Sequence, residues 1–451
     1  MPGSDVELQR RSAAPLSSGT ASAGAYPSTW YAANHGPIFG YAALRGPVEA
    51  DVCVVGAGLA GLTTARELLM AGRSVVLLEA ERVAWGASGR NGGFVSPGFA
   101  LGIDAIIARV GLPAAKALYD LSKDGYDLVR ATLDVLAPQA LMGHGWIVAQ
   151  RHAGRDGLMA QRDLMEREFA TASEFWDVER TRSVLKSPVY HAALYVPDAI
   201  HIQPLIYALA LARDIAGRGG RVFEQSPALG WSRERGGFQV GTSGGAVRAQ
   251  HIVFCTSGYD RHLFAPLARS VLPVATYVAV TEPLMARADA AIATTAAVSD
   301  TRRAGDYYRR LTAGRILWGG RITTRRSEPG KLASLMRGDM LSVYPQLRLP
   351  RIDYAWGGLM GYARHAMPII GPAGDGLWIA SAFGGHGLNT TAMAGQLIAG
   401  AIATGDDRWK QFAVFGAPWG GGPLGQAGVQ LSYWAMQLKD RLEAAKSVRR
   451  R

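Results

Sequence analysis

Cysteine is almost missing from this chain: Cys53 and Cys255 are the only two in 451 residues. Each stands inside an apolar run, VCVV and IVFCTS, where a small buried hydrophobe is expected. Neither a C-x-x-C pair nor a metal-ligand spacing can be built from them, which excludes zinc, iron–sulfur and dithiol chemistry. So few thiols fit a reducing compartment, and a cytoplasmic location is expected. Long apolar runs are missing as well. No stretch reaches about 18 uninterrupted apolar residues, so no membrane-spanning helix is expected. Residues 1–28 are rich in Ser, Ala and Gly, lack an apolar signal core and read as a flexible tail.

The positive charges form no large block. Net charge is +12, yet the densest clusters are only TRRAGDYYRR (301–310) and VRRR (448–451). No nucleic-acid partner is expected; a solvated basic surface, or one that attracts anionic ligands, accounts for the excess. The basic run 435–451 reads as a helix that contacts a partner or is merely solvated, with solvation the reading preferred. No Ser–His–Asp set or working pair of carboxylates suggests itself either.

What the chain has is glycine, 56 residues of it, in a globular composition of 48% hydrophobic and 19% charged residues. The length exceeds one compact core and fits two domains. Strand periodicity is expected at 52–55, 74–78, 145–150, 221–225, 238–259 (as a pair), 271–283, 307–321 and 377–381. Helices are expected at 59–71, 204–217 and 390–404, and over much of 101–136 and 155–186. A strand, a glycine turn and a helix thus occur near each end of the chain, with helices and antiparallel-looking strands between. This pattern predicts an α/β nucleotide domain interrupted by an α+β substrate domain.

The first of these units is DVCVVGAGLAGLTTARELLMAGRSVVLLEAE (51–81). Gly56 permits the tight turn out of the strand, Gly58 lets backbone approach a pyrophosphate, and Gly61 lets the helix lie close to the sheet. Glu79 follows Gly56 by 23 residues at the end of the next strand, where a carboxylate can accept hydrogen bonds from ribose hydroxyls. An acid there also repels a 2′-phosphate. The loop RVAWGASGRNGGFVSPG (82–98) then replaces the next strand–helix repeat of a dehydrogenase unit. Its backbone N–H groups, with Ser88, Arg90 and Asn91, suit a long, bent cofactor.

At GAGLAG and GASGRNGG the chain resembles the FAD-dependent amine and amino-acid oxidases of the D-amino-acid oxidase superfamily. TWYAA (29–33), DYYRRLTAGRILWGG (306–320), RIDYAWGG (351–358), ASAFGGHGLNTTAMAGQLIA (380–399) and the tail from Trp419 to Leu442 resemble the γ-glutamylputrescine oxidase branch. The resemblance implies a Rossmann-like FAD-binding domain made of 29–100, 190–270 and 352–410. It implies an inserted mixed-sheet substrate domain, 101–189 and 271–351, and a C-terminal loop and helix, 411–451. It also implies non-covalent FAD held by Gly56, Ala57, Gly58, Gly61, Glu79 and Ala80 on the nucleotide side. Ser88, Arg90, Asn91, Gly92 and Gly93 would line the flavin half, Ala228 would meet the adenine, and Gly384, Gly385, Gly387, Leu388 and Asn389 would close over the pyrimidine end. His386 is a polar contact near the flavin or a backbone-bonded structural residue.

Two departures bear on substrate. An Arg shortly after a W-x-G triplet commonly grips an α-carboxylate in this superfamily, but here Trp356, Gly357 and Gly358 are followed by Leu359 and Met360. A Lys serves the same end after the G-H-G-x turn of sarcosine-oxidase-like members; here that position is Asn389. Both absences point to an amine without an α-carboxylate, with Arg364 as the candidate substitute cation. The covalent-flavin cysteine of that branch corresponds to Tyr362, six residues before Pro368. Tyr307, Tyr308 and Arg309 lie on one strand; Tyr308 is the candidate to position an alkyl amine if the strand faces the flavin, and core packing is the alternative. The function expected is C–N bond oxidation with oxygen as acceptor. A dehydrogenase feeding a quinone or carrier, and a flavin-binding protein without turnover, are the alternatives.

Overall fold

The computed structural model describes residues 24–36, 40–152, 154–259, 263–324 and 328–449. The expected N-terminal tail up to residue 23, and residues 450–451, lie outside the described residues. Two sheets organise the chain. The first grows from the run VCVV, which ends strand Gly46–Val55 with four buried residues. It pairs in parallel with Val75–Leu78 on one side and with Gly245–Phe254 on the other. Val75–Leu78 is buried at all four positions and also pairs with Arg221–Phe223. Leu377–Ser381 extends the far side in parallel, and Ile369–Gly374 closes that edge antiparallel. A strand buried on both faces reads as a continuous apolar run, which is how the centre of this sheet shows in the sequence.

The helix Leu59–Met70 follows Gly56 directly and covers this sheet. A Cβ on Gly61 would stand 1.9 Å from the Gly56 carbonyl oxygen and 3.3 Å from Val54 Cγ1. The helix therefore lies on the sheet at a distance that no side chain at position 61 would allow. A second apolar helix, Gly387–Thr404, packs beside it, with Gly395 against Thr63, where a Cβ would come within 2.6 Å. On its other side lies the long helix Leu112–Leu136, at whose Gly125 a Cβ would meet the Asn389 carbonyl oxygen at 2.3 Å.

The second sheet runs in the order Ile352–Tyr362, Leu272–Thr281, Ile316–Thr323, Tyr307–Arg310, Ala297–Asp300, Leu141–Gln150, Ala192–Ile202, Phe94–Val95. Its far face, together with helix Leu332–Val343, encloses a separate core around Tyr308, Trp318 and Tyr344. Three segments lie in a different layer from the one expected. Ala192–Ile202 and Ile352–Tyr362, grouped with the nucleotide domain on sequence, are strands of the second sheet. Helix Leu112–Leu136, grouped with the substrate domain, shares the core of Leu59–Met70 and Gly387–Thr404. The reason in each case is long-range: strand partners and helix neighbours are chosen by packing that local periodicity does not encode. Pro204–Gly217 forms a helix over the expected residues.

Replacing Gly61 by Ala is expected to destabilise the protein by about 1–3 kcal/mol or more, because the new methyl meets backbone and not a movable side chain. Gly217→Ala serves as the control. A methyl added at that position would have nothing within 4 Å, and the residue sits at a helix end, so its melting temperature should hold or rise slightly. Thermal unfolding of the two variants checks the pair.

Candidate cofactor and active site

The carboxyl ends of the parallel strands, the glycine turns and one face of the second sheet enclose a cavity of about 510 Å³. Its nucleotide end begins at Gly56, which adopts φ +102°. A Cβ here would meet the Cys255 carbonyl oxygen at 2.9 Å, so glycine is required twice over, by conformation and by space. Gly58 caps helix Leu59–Met70 without a side-chain bond. Instead Ser88, from the following loop, accepts the Leu59 N–H at 2.9 Å. The rest of that helix's first turn points its N–H groups and positive dipole end into the cavity.

Glu79 stands across from it. Its Oε2 accepts the Ala57 N–H at 2.8 Å and its Oε1 accepts the Glu81 N–H at 2.9 Å. Burial nevertheless pushes the carboxyl up to about 7, against the pull of those two donors. Ala80, Pro227 and Ala228 continue the wall on this side.

The loop 82–98 is ordered by its own side chains. Asn91 Nδ2 donates to the carbonyls of Ala87 and Ser88, and Asn91 Oδ1 accepts the Gly93 N–H at 2.8 Å. Arg90 stacks on Trp85 at 4.7 Å and donates to the Gly357 carbonyl at 3.1 Å and to the Tyr259 hydroxyl at 2.7 Å. Trp356 Nε1 returns a bond to the Arg90 carbonyl at 2.9 Å. Arg90 is thus a clasp between the loop and the second sheet. Gly92 lies under the Tyr307 ring, where a Cβ would come within 2.5 Å.

Behind Gly93 sits a buried cation with no ion-pair partner among the described residues. Arg309 is fully buried and donates to His201 Nδ1 at 2.9 Å, the Tyr31 hydroxyl at 2.9 Å and the Ile202 carbonyl at 2.8 Å. Burial, and then the Arg309 charge, pulls His201 down to about 3. The ring is therefore neutral; Nδ1 accepts from Arg309, and Nε2–H donates to the Thr295 carbonyl at 2.8 Å.

At the opposite end, Gly384 takes φ +61° and its N–H donates to the Gly361 carbonyl at 2.8 Å. His386 caps helix Gly387–Thr404 with no side-chain bond to it. The His386 ring instead reaches back, Nε2 lying 3.0 Å from the Ser96 carbonyl. Burial holds this imidazole below its ordinary value, so it is neutral at pH 7. Gly384, Gly385, His386, Gly387 and Leu388 all line the cavity. A second uncapped helix end therefore faces it, from the other side.

Most of the residues singled out from sequence converge here, and five do not line the cavity. Ala57 and Gly61 act from behind, through the Glu79 bond and the helix contact. Asn389 Nδ2 donates to the carbonyls of Gly98 and Ser122 and ties helix Leu112–Leu136 to the turn. Arg364 is exposed and away from the cavity wall. Tyr308 is buried on the other face of its strand, stacked on Trp318 at 4.5 Å and bonded to the hydroxyls of Tyr190 and Tyr344. Strand alternation places Tyr307, not Tyr308, on the cavity. Trp146, Ser299, Thr276, Met360 and Tyr362 complete that wall and carried no motif signal, although period-two alternation around Tyr307 could have given the parity. Cys255 also borders the cavity, its thiol pushed up to about 12 by burial and so protonated.

Residues 51–401 match the family described as FAD dependent oxidoreductase. The chain belongs to that family. This flavoenzyme is 32% identical over 377 residues to the probable oxidoreductase OrdL of Haemophilus influenzae, spanning 82% of this chain and 86% of that one. It is 31% identical to the gamma-glutamylputrescine oxidoreductase of Escherichia coli, over 86% of this chain and 92% of that one. Among solved structures, glycine oxidase from Bacillus cereus superposes with a TM-score of 0.68 at 18% identity, over 80% of this chain and 97% of that one.

The residues present fit FAD. Two uncapped helix ends suit a diphosphate and an electron-rich ring, and Gly56, Gly58, Gly92 and Gly384 leave space that a Cβ would fill. Thr256 Oγ1, buried on the cavity wall, has no hydrogen-bond partner among the described residues.

Glu79 makes cofactor affinity depend on pH. Its folded-state value is raised from 4.5 to about 7, so this group adds to the stability of the folded apoprotein below pH 4.5, and that contribution is lost as pH rises to about 7. Ribose hydroxyls held by Glu79 would donate to the ionised form. FAD should therefore bind the apoprotein more tightly as pH rises from 5 to 7, by up to about tenfold per pH unit for one linked proton. Glu79→Gln should flatten the profile; fluorescence titration of FAD against pH reads both.

Proposed function

We propose that this FAD-dependent oxidoreductase oxidises the C–N bond of an amine that carries no α-carboxylate, an alkyl amine of the γ-glutamylputrescine kind, with oxygen as electron acceptor. The observation that carries the reading is the charge of the cavity wall. Among the described residues lining it, Arg90 is the one permanent cation, and its guanidinium is taken up by Gly86, Gly357 and Tyr259. Arg364 faces solvent. Among these residues no planar fork is free to take a substrate carboxylate in two places. Trp146, Tyr307, Met360 and Tyr362 instead offer an apolar, aromatic wall that suits an alkyl chain and keeps water from it. The name of the Escherichia coli relative, an oxidoreductase of a γ-glutamylated diamine, supports the same class.

FAD, held by the Gly56–Gly58 turn, Ser88 and the Gly384–Leu388 turn, would supply the redox chemistry: hydride loss from the carbon bearing a neutral nitrogen would leave an imine, water would convert it to an aldehyde and the freed amine or ammonia, and oxygen would take the two electrons as hydrogen peroxide. The protein's part is binding and electrostatics. The N-terminal end of helix Gly387–Thr404 places positive partial charge where electron density rises. The neutral His386 ring, fixed by Ser96, shapes that turn without adding charge. The substrate ammonium has to lose its proton before reacting, and among the described residues no cavity carboxylate other than Glu79 and Glu81, both at the nucleotide end, is there to hold it charged.

An anaerobic screen of the holoenzyme decides the matter. Alkyl amines and N-acylated diamines should bleach the flavin band at rates at least about tenfold above α-amino acids of similar size, and admitting air should restore the colour with one peroxide per turnover. A carboxylate set against this wall with no free cation to pair it would lose at least about that factor. Faster bleaching by α-amino acids would refute the substrate class. Slow recovery in air, made fast by a soluble quinone, would refute oxygen as acceptor.

A further inference from the structure

We propose that the outward face of the C-terminal helix docks in the plane of a membrane surface bearing anionic lipid headgroups. The helix runs from Gly422 to Arg449, after the stretch 51–401 that matches the family. Its inner side is fastened to the second sheet. Tyr433 is buried, and Gln430 Oε1 accepts from Thr323 Oγ1 at 2.9 Å and from the Thr324 N–H at 3.1 Å. Asp440 accepts the Ala304 N–H at 3.1 Å and pairs with Arg303. These bonds fix the helix's rotation.

At about 100° per residue, Leu424, Leu431, Leu438 and Leu442 fall in one narrow sector opposite Tyr433 and Asp440, with Trp434 on its shoulder. These five side chains are 54–80% exposed. The helix holds six of the fifteen large hydrophobic residues exposed among those described, so the apolar area is concentrated and not scattered as on an ordinary surface. Turning it inward would break the Gln430 and Asp440 bonds.

Charge decides what covers the stripe. Lys439 and Arg441 are exposed and flank it on either side. The acids of this segment, Asp440 and Glu443, are turned to the inner side and paired with Arg303. The outward face is therefore apolar at its centre and basic at both margins, on a chain of net charge +12. A second copy placing the same face against it would bring Lys439 and Arg441 near their like, which opposes pairing. An anionic lipid surface complements both features: leucines and tryptophan enter the headgroup boundary, and the cations meet the phosphates. No helix among the described residues is long and apolar enough to cross a membrane, so the contact is peripheral.

Sedimentation of the holoenzyme with vesicles tests this. It should pellet with phosphatidylcholine–phosphatidylglycerol vesicles at least about tenfold more than with phosphatidylcholine alone, and added salt should release it. A Leu431→Gln/Leu438→Gln variant and, separately, a Lys439→Gln/Arg441→Gln variant should each lose about tenfold in vesicle binding, with flavin content and melting temperature unchanged. Failure of the wild type to pellet would overturn the proposal, as would undiminished binding by both variants. So would a dimer in sedimentation velocity that the Leu431→Gln/Leu438→Gln change abolishes, since it would assign the stripe to a second copy.

Discussion

The approach of Gly61 to the Gly56 carbonyl is the contact on which the rest of the molecule turns. It lets helix Leu59–Met70 lie flat on the parallel strands, which brings the helix's N-terminal end over their carboxyl ends. Helix Gly387–Thr404 seats against it through Gly395, and helix Leu112–Leu136 seats against that one through Gly125. Three layers of close contact, each made at a glycine, thus aim two helix ends at one cavity. Helix packing and cofactor geometry share the same cause.

Electrostatics completes the arrangement. The cavity is bordered by partial charges and by groups held away from their ordinary ionisation. The nucleotide end carries a carboxyl that burial nearly neutralises, and the ring end carries a neutral imidazole. Arg90 carries the permanent positive charge on the cavity wall, and behind Gly93 a second cation, Arg309, reaches only neutral partners among the described residues. An isolated buried cation is unfavourable, and an electron-rich ligand beyond Gly93 would offset part of that penalty.

The nucleotide half was legible because its demands are local. A turn at Gly56, a helix at Leu59 and an acid at the end of the next strand are set by neighbours in sequence, and a strand buried on both faces announces itself as VCVV. The second sheet was less legible, since Ala192–Ile202 and Ile352–Tyr362 take their place from partners far along the chain. Tyr307 and Tyr308 show the limit most clearly. Both look equally fit to meet a substrate, and a single step of strand parity sends one to the cavity and the other into a core with Trp318. Arg364 looked like a spare cation because its exposure cannot be read from type alone. Leu431, Trp434 and Leu438 carried no signal of their own, and only the bonds of Gln430 and Asp440 show which side of their helix faces in.

The two glycine turns that border the cavity come from residues 56 to 93 and from residues 384 to 388, with nearly three hundred residues of other structure between them. During synthesis the amino-terminal turn emerges early, but strand Leu377–Ser381 and the turn after it leave the ribosome last of all the cofactor-facing parts. The receptacle is incomplete until residues 384–388 are in place. A grip on both ends of a flavin nucleotide therefore joins two stretches of chain that meet only in the folded protein.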